Sequence, residues 1–190
     1  NLTMSGSSTL ALSGACSFTG NLTVSAGTLT LASPQSFSPS TVGVSDGATL
    51  SEAFSPSVQM SATSLTLGFT TGATNAFVAN STSLARVTAG TLTLNGVNTL
   101  NIIGGNLAAG SSYPLIAYTT LAGAGSYVLG TLPPGVAGNL STTAGSPNVV
   151  YFNVTGVTNT VWTGAVNGTW DINTTANWTN AGTLGNKYVD

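Results

Sequence analysis

A short alternation of apolar and polar residues recurs along this chain, in its first units about every 20 residues, which restricts its fold more than any other feature. Ser-Thr-Leu-Ala-Leu-Ser-Gly at 8–14 is followed by Gly-Thr-Leu-Thr-Leu at 27–31, Gly-Ala-Thr-Leu at 47–50, Ser-Leu-Thr-Leu-Gly at 64–68 and Gly-Thr-Leu-Thr-Leu at 90–94. Alternation with a period of two is typical of a β-strand that buries one face. The flanking Gly, Ser and Asn residues indicate turns. A period near 20 residues is the sequence signature of a repeat fold.

A single strand of this length cannot bury its apolar face, whereas stacked repeats form a continuous core. The sequence therefore predicts an all-β fold, a right-handed parallel β-helix. A β-sandwich is the alternative, because short strands separated by regular turns suit it as well. In the solenoid the inward side chains would be Leu10, Leu12, Leu29, Leu31, Leu50, Leu65, Leu67, Leu92, Leu94, Leu100 and Ile102. The outward side chains would be Thr9, Thr28, Thr30, Thr66, Thr91 and Thr93, which can form ladders.

The residue composition and the strand pattern change twice along the sequence, which divides the chain into three regions. Residues 1–104 carry the solenoid repeats. Residues 105–160 hold longer, more aromatic strands that we expect to close or continue the solenoid. Residues 161–190 form a C-terminal segment with three evenly spaced tryptophans, Trp162, Trp170 and Trp178.

The charge content excludes several classes of partner. Among 190 residues there are two Lys and Arg, four Asp and Glu and no His, for a net charge of −2. Nucleic-acid binding needs cations that neutralise phosphates, so no nucleic-acid partner is expected. No apolar run approaches the roughly 20 residues of a membrane-spanning helix, and we predict no membrane insertion by this segment. Disorder is disfavoured, because disordered chains combine low hydrophobicity with high net charge.

Asp46 and Glu52 are the only carboxylates that lie close together in the sequence. Two carboxylates held about 5–10 Å apart can hydrolyse glycosides, and β-helix folds host polysaccharide lyases and hydrolases. Asp46 lies in Ser-Asp-Gly, a turn signal, so we expect turn and surface roles for both residues.

No other residue set suggests catalysis or metal binding. A serine nucleophile needs a base, and zinc prefers Cys and His ligands, whereas the chain has no His and one Cys. We predict that the protein is not an enzyme and has no catalytic, cofactor or metal site. Cys16 cannot form an internal disulfide and is expected to be a small buried hydrophobe.

Two further sets of residues have alternative interpretations. Trp162, Trp170 and Trp178, with Tyr113, Tyr118 and Tyr151, could stack on sugars, although packing over the end of the core is the favoured interpretation. Glycosylation sequons begin at Asn1, Asn21, Asn80, Asn139, Asn153, Asn167, Asn173 and Asn177. They would carry glycans in a eukaryotic secreted protein, but a chain this rich in Asn, Ser and Thr produces such sequons by chance.

Residues 1–33 resemble a known bacterial repeat. The features that carry the resemblance are Leu10-Ala-Leu-Ser-Gly, Phe18-Thr-Gly and Val24-Ser-Ala-Gly-Thr-Leu-Thr-Leu, which are similar to the autotransporter-associated β-strand repeat. Gly104-Gly105 through Gly135 and the segment from Val161 to Thr179 are similar to regions that flank such repeats. The resemblance implies a β-helical passenger region of a large bacterial surface or secreted protein, located extracellularly or at the cell surface. It implies adhesion or scaffolding and no catalytic residue.

Both ends of the chain are strand-like and lack obvious caps. The first residues are Asn1, Leu2, Thr3 and Met4, and the last are Lys187, Tyr188, Val189 and Asp190. Soluble solenoids normally carry polar caps, so we expect either a fragment of a longer solenoid or head-to-tail contact between copies, which would produce a filament.

Three functions follow in order of preference. The first is a non-enzymatic structural or adhesive β-solenoid that self-associates or binds surface and glycan ligands. The second is a carbohydrate-binding module that uses the C-terminal aromatics. The third is a polysaccharide-degrading enzyme.

Overall fold

The computed structural model of the chain describes residues 1–13, 20–32, 40–53, 59–158, 160–164, 166–170, 174–180 and 183–186. Within these ranges the chain forms strands and no helix. The strands are, in chain order, β1 (Leu2–Met4), β2 (Thr9–Leu12), β3 (Leu22–Val24), β4 (Thr28–Leu31), β5 (Thr41–Val44), β6 (Thr49–Glu52), β7 (Met60–Leu67), β8 (Thr74–Val78), β9 (Val87–Leu94), β10 (Val97–Gly104), β11 (Ser112–Ala122), β12 (Ser126–Leu129), β13 (Val136–Thr143), β14 (Asn148–Val157), β15 (Thr160–Trp162), β16 (Trp178–Asn180) and β17 (Thr183–Asn186).

The first twelve strands alternate between two sheets. Strands β1, β3, β5, β7, β9 and β11 follow one another in the first sheet, and β2, β4, β6, β8, β10 and β12 follow one another in the second. Neighbours in both runs are parallel. A chain that adds one strand to each sheet at every pass is a β-solenoid, so the predicted fold is confirmed and the sandwich alternative is wrong for this region.

Inward side chains of successive coils lie directly above one another. In the first sheet Leu22 pairs with Val42, Val42 with Leu65, and Leu65 with Leu92, and each of these residues is at most 1% exposed. Each fully buried side chain of this size stabilises the fold by about 1.5–3 kcal/mol relative to an exposed one. The ladders are therefore a main source of stability in the solenoid.

The outer face of the second sheet carries a column of threonines. Thr9 pairs with Thr28, Thr28 with Thr49, Thr49 with Thr74, and Thr74 with Thr99. None of the six threonines predicted to face outward is buried. The predicted division between an apolar inside and a hydroxyl-bearing outside is confirmed.

Leu10 and Leu12 take the predicted inward positions but are not fully buried. Both residues continue the inward ladders, because Leu10 pairs with Leu29 and Leu12 with Leu31. Leu10 is nevertheless 37% exposed and Leu12 is only partly buried. The reason is position, since β2 is an edge strand whose partner in the described part of the chain is β4. The other nine residues predicted to face inward are at most 3% exposed.

An antiparallel hairpin follows the last parallel strands. β14 pairs with β11 from Ser112 to Tyr118, and β13 pairs with β14. Val150, Phe152 and Val154 of β14 are at most 2% exposed and belong to the same apolar core as the ladders. In the described part of the chain no further strand is hydrogen-bonded to the outer edge of β12 or, on the side of the hairpin, to the remainder of β11.

The C-terminal segment forms a separate three-stranded antiparallel sheet of β15, β16 and β17, in which Trp162 lies opposite Trp178. Three sequence predictions concern residues outside the described ranges, and they involve Cys16, Asn173 and the terminal residues Lys187, Tyr188, Val189 and Asp190.

Candidate functional site

Asp46 lies in the turn between β5 and β6, as its sequence context predicts. Gly47 follows it with a φ of +71°, a conformation that glycine adopts without steric cost. The Asp46 carboxylate accepts hydrogen bonds from the backbone N–H groups of residues 69–72 at 2.7–3.1 Å and from the Thr70 hydroxyl at 2.7 Å. The side chain therefore joins the turn of one coil to the turn of the next.

This cradle of donors also determines the charge state of Asp46. The Gly72 N–H, the Thr70 hydroxyl and the N–H groups of Phe69 and Thr70 lower the pKa of the carboxyl well below its ordinary value of 3.8. Successive backbone N–H groups that converge on one anion are a recurring anion-binding arrangement. Here the anion belongs to the chain itself, so the carboxylate has a structural role in the turn.

Glu52 is inside the solenoid, and the predicted surface role for it is wrong. It ends β6 in the ladder between Leu31 and Phe77 and is 0% exposed. The period of two explains this position, because Leu50 and Glu52 point to the same face of the strand. The Asn75 side-chain amide donates a hydrogen bond of 3.0 Å to Oε1 of Glu52.

Arg86, which immediately precedes β9, places a positive charge in the same interior. It is 0% exposed. Burial raises the pKa of Glu52 well above its ordinary value, and the positive charge of Arg86 opposes that shift. Burial lowers the pKa of Arg86, and Glu52 opposes that shift in turn. Oε2 of Glu52 and Oδ1 of Asn75 have no hydrogen bond, so the buried polar cluster is incompletely satisfied.

The structure does not assemble Asp46 and Glu52 into a glycoside-cleaving pair. The Asp46 carboxylate is held by the 69–72 turn, whereas Glu52 is closed off from solvent at the other end of β6. A substrate could not contact both groups in this arrangement.

The C-terminal tryptophans include two exposed side chains. Trp162 is 39% exposed and Trp170 is 67% exposed, and Val166 between them is 63% exposed. Neither Trp162 nor Trp170 is among the residues of the described buried core, and the favoured expectation that they pack over the end of that core stays a prediction. Trp178 lies in β16 opposite Trp162.

Asn177 organises the loop that carries these residues. Its side-chain oxygen accepts hydrogen bonds from the N–H groups of Val166 and Asn167 at 2.8 and 3.0 Å. Its side-chain amide donates to Oδ1 of Asn167 and to the carbonyl of Thr169. A fully buried asparagine thus fixes the loop from inside, a role that the sequence analysis missed.

The sequons fall in different environments. Asn1, Asn21, Asn139 and Asn167 are exposed, whereas Asn177 is 0% exposed and its amide is fully engaged. A glycan at Asn177 is incompatible with this structure. Asn1 also accepts a hydrogen bond of 2.8 Å from the Asn21 N–H through its side-chain oxygen.

The first four strands, which form the first layers of the solenoid, are also the region where comparison with known proteins gives a result. Residues 2–31 match the passenger-associated-transport-repeat family. The resemblance predicted from residues 1–33 is thereby confirmed for β1 to β4. Comparisons with curated proteins and with solved structures found no match. Among the described residues there is no helix long and apolar enough to cross a membrane.

Proposed function

We propose that this chain is a non-enzymatic structural or adhesive part of a passenger-type protein that is secreted or displayed at the cell surface. One observation carries the proposal. The passenger-associated repeat matched at residues 2–31 forms the first layers of a solenoid. The same arrangement of parallel strands continues through β12. The later coils therefore share the strand arrangement of the matched repeat, and we propose that they share its role.

The geometry suits a spacer or a display scaffold. Each coil adds one strand to each sheet, which extends the molecule by about 4.8 Å per coil. The charged residues Asp46, Glu52 and Arg86 serve the turn and the interior. In the described part of the chain the outer faces therefore carry uncharged side chains, many of them hydroxyls.

Surface labelling tests this proposal. Antibodies raised against the purified chain should bind intact cells of the source organism, or be recovered with their antigen from the culture medium. External protease should remove the cell-bound signal. A cytosolic enzyme serves as the control for cell integrity. Signal that appears only after lysis would contradict extracellular display.

A second candidate function is carbohydrate binding by the C-terminal tryptophans. The observation that favours it is the exposure of Trp162 and Trp170 on a loop that Asn177 holds in place. Glycan-array binding that disappears on Trp170→Ala and persists in Val166→Ala would support this candidate. Equal binding by both variants would remove it.

The proposed lack of catalysis has its own test. Turnover of any polysaccharide that is lost on Asp46→Asn or Glu52→Gln, in variants that retain their fold by circular dichroism, would contradict it.

A further inference from the structure

The outer face of the first sheet has a gap in a column of threonines. Thr23 pairs with Gly43, Gly43 with Thr66, and Thr66 with Thr93. A Cβ atom added at Gly43 would meet no heavy atom within 4 Å. The missing side chain therefore leaves open space in a face that is otherwise filled in register.

This space widens into a cleft of about 280 Å³. We call it the Gly43 cleft; the side chains that line it around Gly43 include Thr23, Thr41, Ser64, Thr66 and Phe69. Within the described residues no hydrogen bond engages the hydroxyls of the first four, whereas the hydroxyls of Thr70 and Thr88 are bonded. The cleft thus presents several hydroxyls that can still donate or accept.

Phe69 provides an apolar wall. It is 69% exposed, and its backbone is fixed because the Phe69 N–H donates a hydrogen bond of 2.7 Å to Asp46. An aromatic ring on a fixed backbone offers a large contact area with little loss of conformational entropy. The turn that Asp46 organises therefore holds an aromatic side chain at the edge of a hydroxyl-lined cleft.

The electrostatics restrict the ligand. The nearest charge in sequence, Asp46, is already solvated by the N–H groups of residues 69–72. Glu52 and Arg86 are buried in the core. An ionic ligand would find no counter-charge in the lining, whereas a neutral polyhydroxy ligand matches both the hydroxyls and the aromatic wall. The volume lies at the lower limit of small-molecule pockets, which fits one or two sugar rings.

We propose that the Gly43 cleft binds a neutral carbohydrate, with Phe69 against one face of a pyranose ring and the threonine and serine hydroxyls on its edge. The site differs from the C-terminal tryptophans, and binding by the purified chain does not depend on surface display.

The test uses the full chain and an array of neutral oligosaccharides of glucose, galactose, mannose and N-acetylglucosamine, with sulfated and sialylated glycans as charged comparators. Gly43→Thr completes the threonine column and fills the cleft. Phe69→Ala removes the wall. Gly104→Thr is the matched control, because Gly104 also lies in a strand with no atom within 4 Å of its added Cβ. Ile103→Ala controls for loss of an exposed apolar side chain.

We expect neutral glycans to be retained by the wild type and by both controls, and to bind at least about tenfold more weakly to Gly43→Thr and Phe69→Ala. The melting temperature of Gly43→Thr should be unchanged or higher, because threonine suits a strand better than glycine.

Three results would overturn the proposal. They are no retained neutral glycan, binding that both cleft variants preserve, and binding that is lost in Trp170→Ala instead. If Gly43→Thr does not fold, Phe69→Ala decides by the same criterion.

Discussion

Glu52 and Arg86 show how a buried charge is accommodated in a stack of leucines. Both side chains are fully buried, and each opposes the effect of burial on the pKa of the other. An isolated buried charge destabilises the fold. Removing one partner of a buried pair is therefore strongly destabilising, because it leaves the other charge without compensation. The two residues should therefore behave as one unit in mutagenesis.

We predict strong coupling between them. Arg86→Met should lower the free energy of unfolding at neutral pH by about 3–5 kcal/mol, because it leaves Glu52 without a counter-charge. Adding Glu52→Leu, which matches the neighbouring Leu31 in the ladder, should restore most of that loss. Chemical denaturation of the four members of the cycle measures the coupling. Losses that simply add would contradict the pairing.

Asp46 and Glu52 contribute in opposite directions to the pH dependence of the free energy of unfolding. The pKa of Asp46 is lowered in the folded chain, so its stabilising effect is present above the ordinary value of 3.8 and is lost as the pH falls through the lower folded value. The pKa of Glu52 is raised, so its contribution favours the fold below its ordinary value of 4.5 and declines as the pH rises through the folded value.

Variants separate these two effects. Asp46→Asn should melt at a lower temperature than the wild type near neutral pH, and the difference should shrink below about pH 4, where the carboxylate of the unfolded wild-type chain takes up a proton while that of the folded chain stays ionised. Melting temperatures measured from about pH 7 to about pH 2 test this. A constant difference across that range would show that the carboxylate charge has no part in the turn.

At the scale of the strand, the inward face, which carries the buried side chains, determines whether the chain folds. Leu29 is 0% exposed between Leu10 and Leu50, and its neighbour Thr28 lies on the outer face of the same strand. The same substitution to Asp at these two positions therefore separates the effect of burying a charge from the effect of adding a charge to the strand.

Leu29→Asp should abolish folding, because an unpaired buried charge costs several kcal/mol and a domain of this kind is stable by only about 5–15 kcal/mol. Thr28→Asp should fold with a small loss. Circular dichroism and thermal melting distinguish the two outcomes. A melting temperature of Leu29→Asp equal to that of the wild type would contradict the assigned inward face.

Periodicity predicted the solenoid but did not predict which strands lie above one another. The Leu-Thr-Leu motif occurs in both sheets, so its recurrence alone does not show whether Leu65 and Leu92 continue the ladder of Leu29 and Leu50 or belong to a second ladder. In the structure the ladder continues from Leu50 to Asn75 and Leu100, while Leu65 belongs to the other sheet.

The internal polar cluster was missed for the same reason. Asn75 interrupts an otherwise leucine-rich column, and its spacing from Leu50 is longer than the early repeats. The signal that was available is Glu52, because alternation from Leu50 places it inward. Arg86, whose partner is distant in sequence, carries no such local signal.

At the scale of the whole molecule, the first and the last parallel strands of the described solenoid match each other. The ladder that begins at Leu2 runs through Leu22, Val42, Leu65 and Leu92 to Leu121. Leu121 is 55% exposed at the far end. The hairpin of β13 and β14 covers β11 only as far as Tyr118, so the stretch that remains uncovered corresponds in register to the short strand β1.

The second sheet shows the same correspondence. Its ladder begins at Leu10, which is 37% exposed, and ends at Leu129, which is only partly buried. Strands β2 and β12, the two edges of this sheet, are each four residues long. In a head-to-tail contact β2 of one copy would pair with β12 of the next, and Leu10 would continue the column that ends at Leu129.

We predict that the purified chain forms filaments by this contact, because unlike ends that meet do not close on themselves and a net charge of −2 provides little repulsion. Electron microscopy and analytical ultracentrifugation measure the association. Leu121→Lys and deletion of residues 1–14 should each yield monomers, since one charges the far ladder end and the other removes β1 and β2. Phe69→Lys, which alters a still more exposed side chain away from both ends, should still form filaments. Uniform wild-type monomers at high concentration, or filaments that survive both changes, would show that the matching ladders do not join.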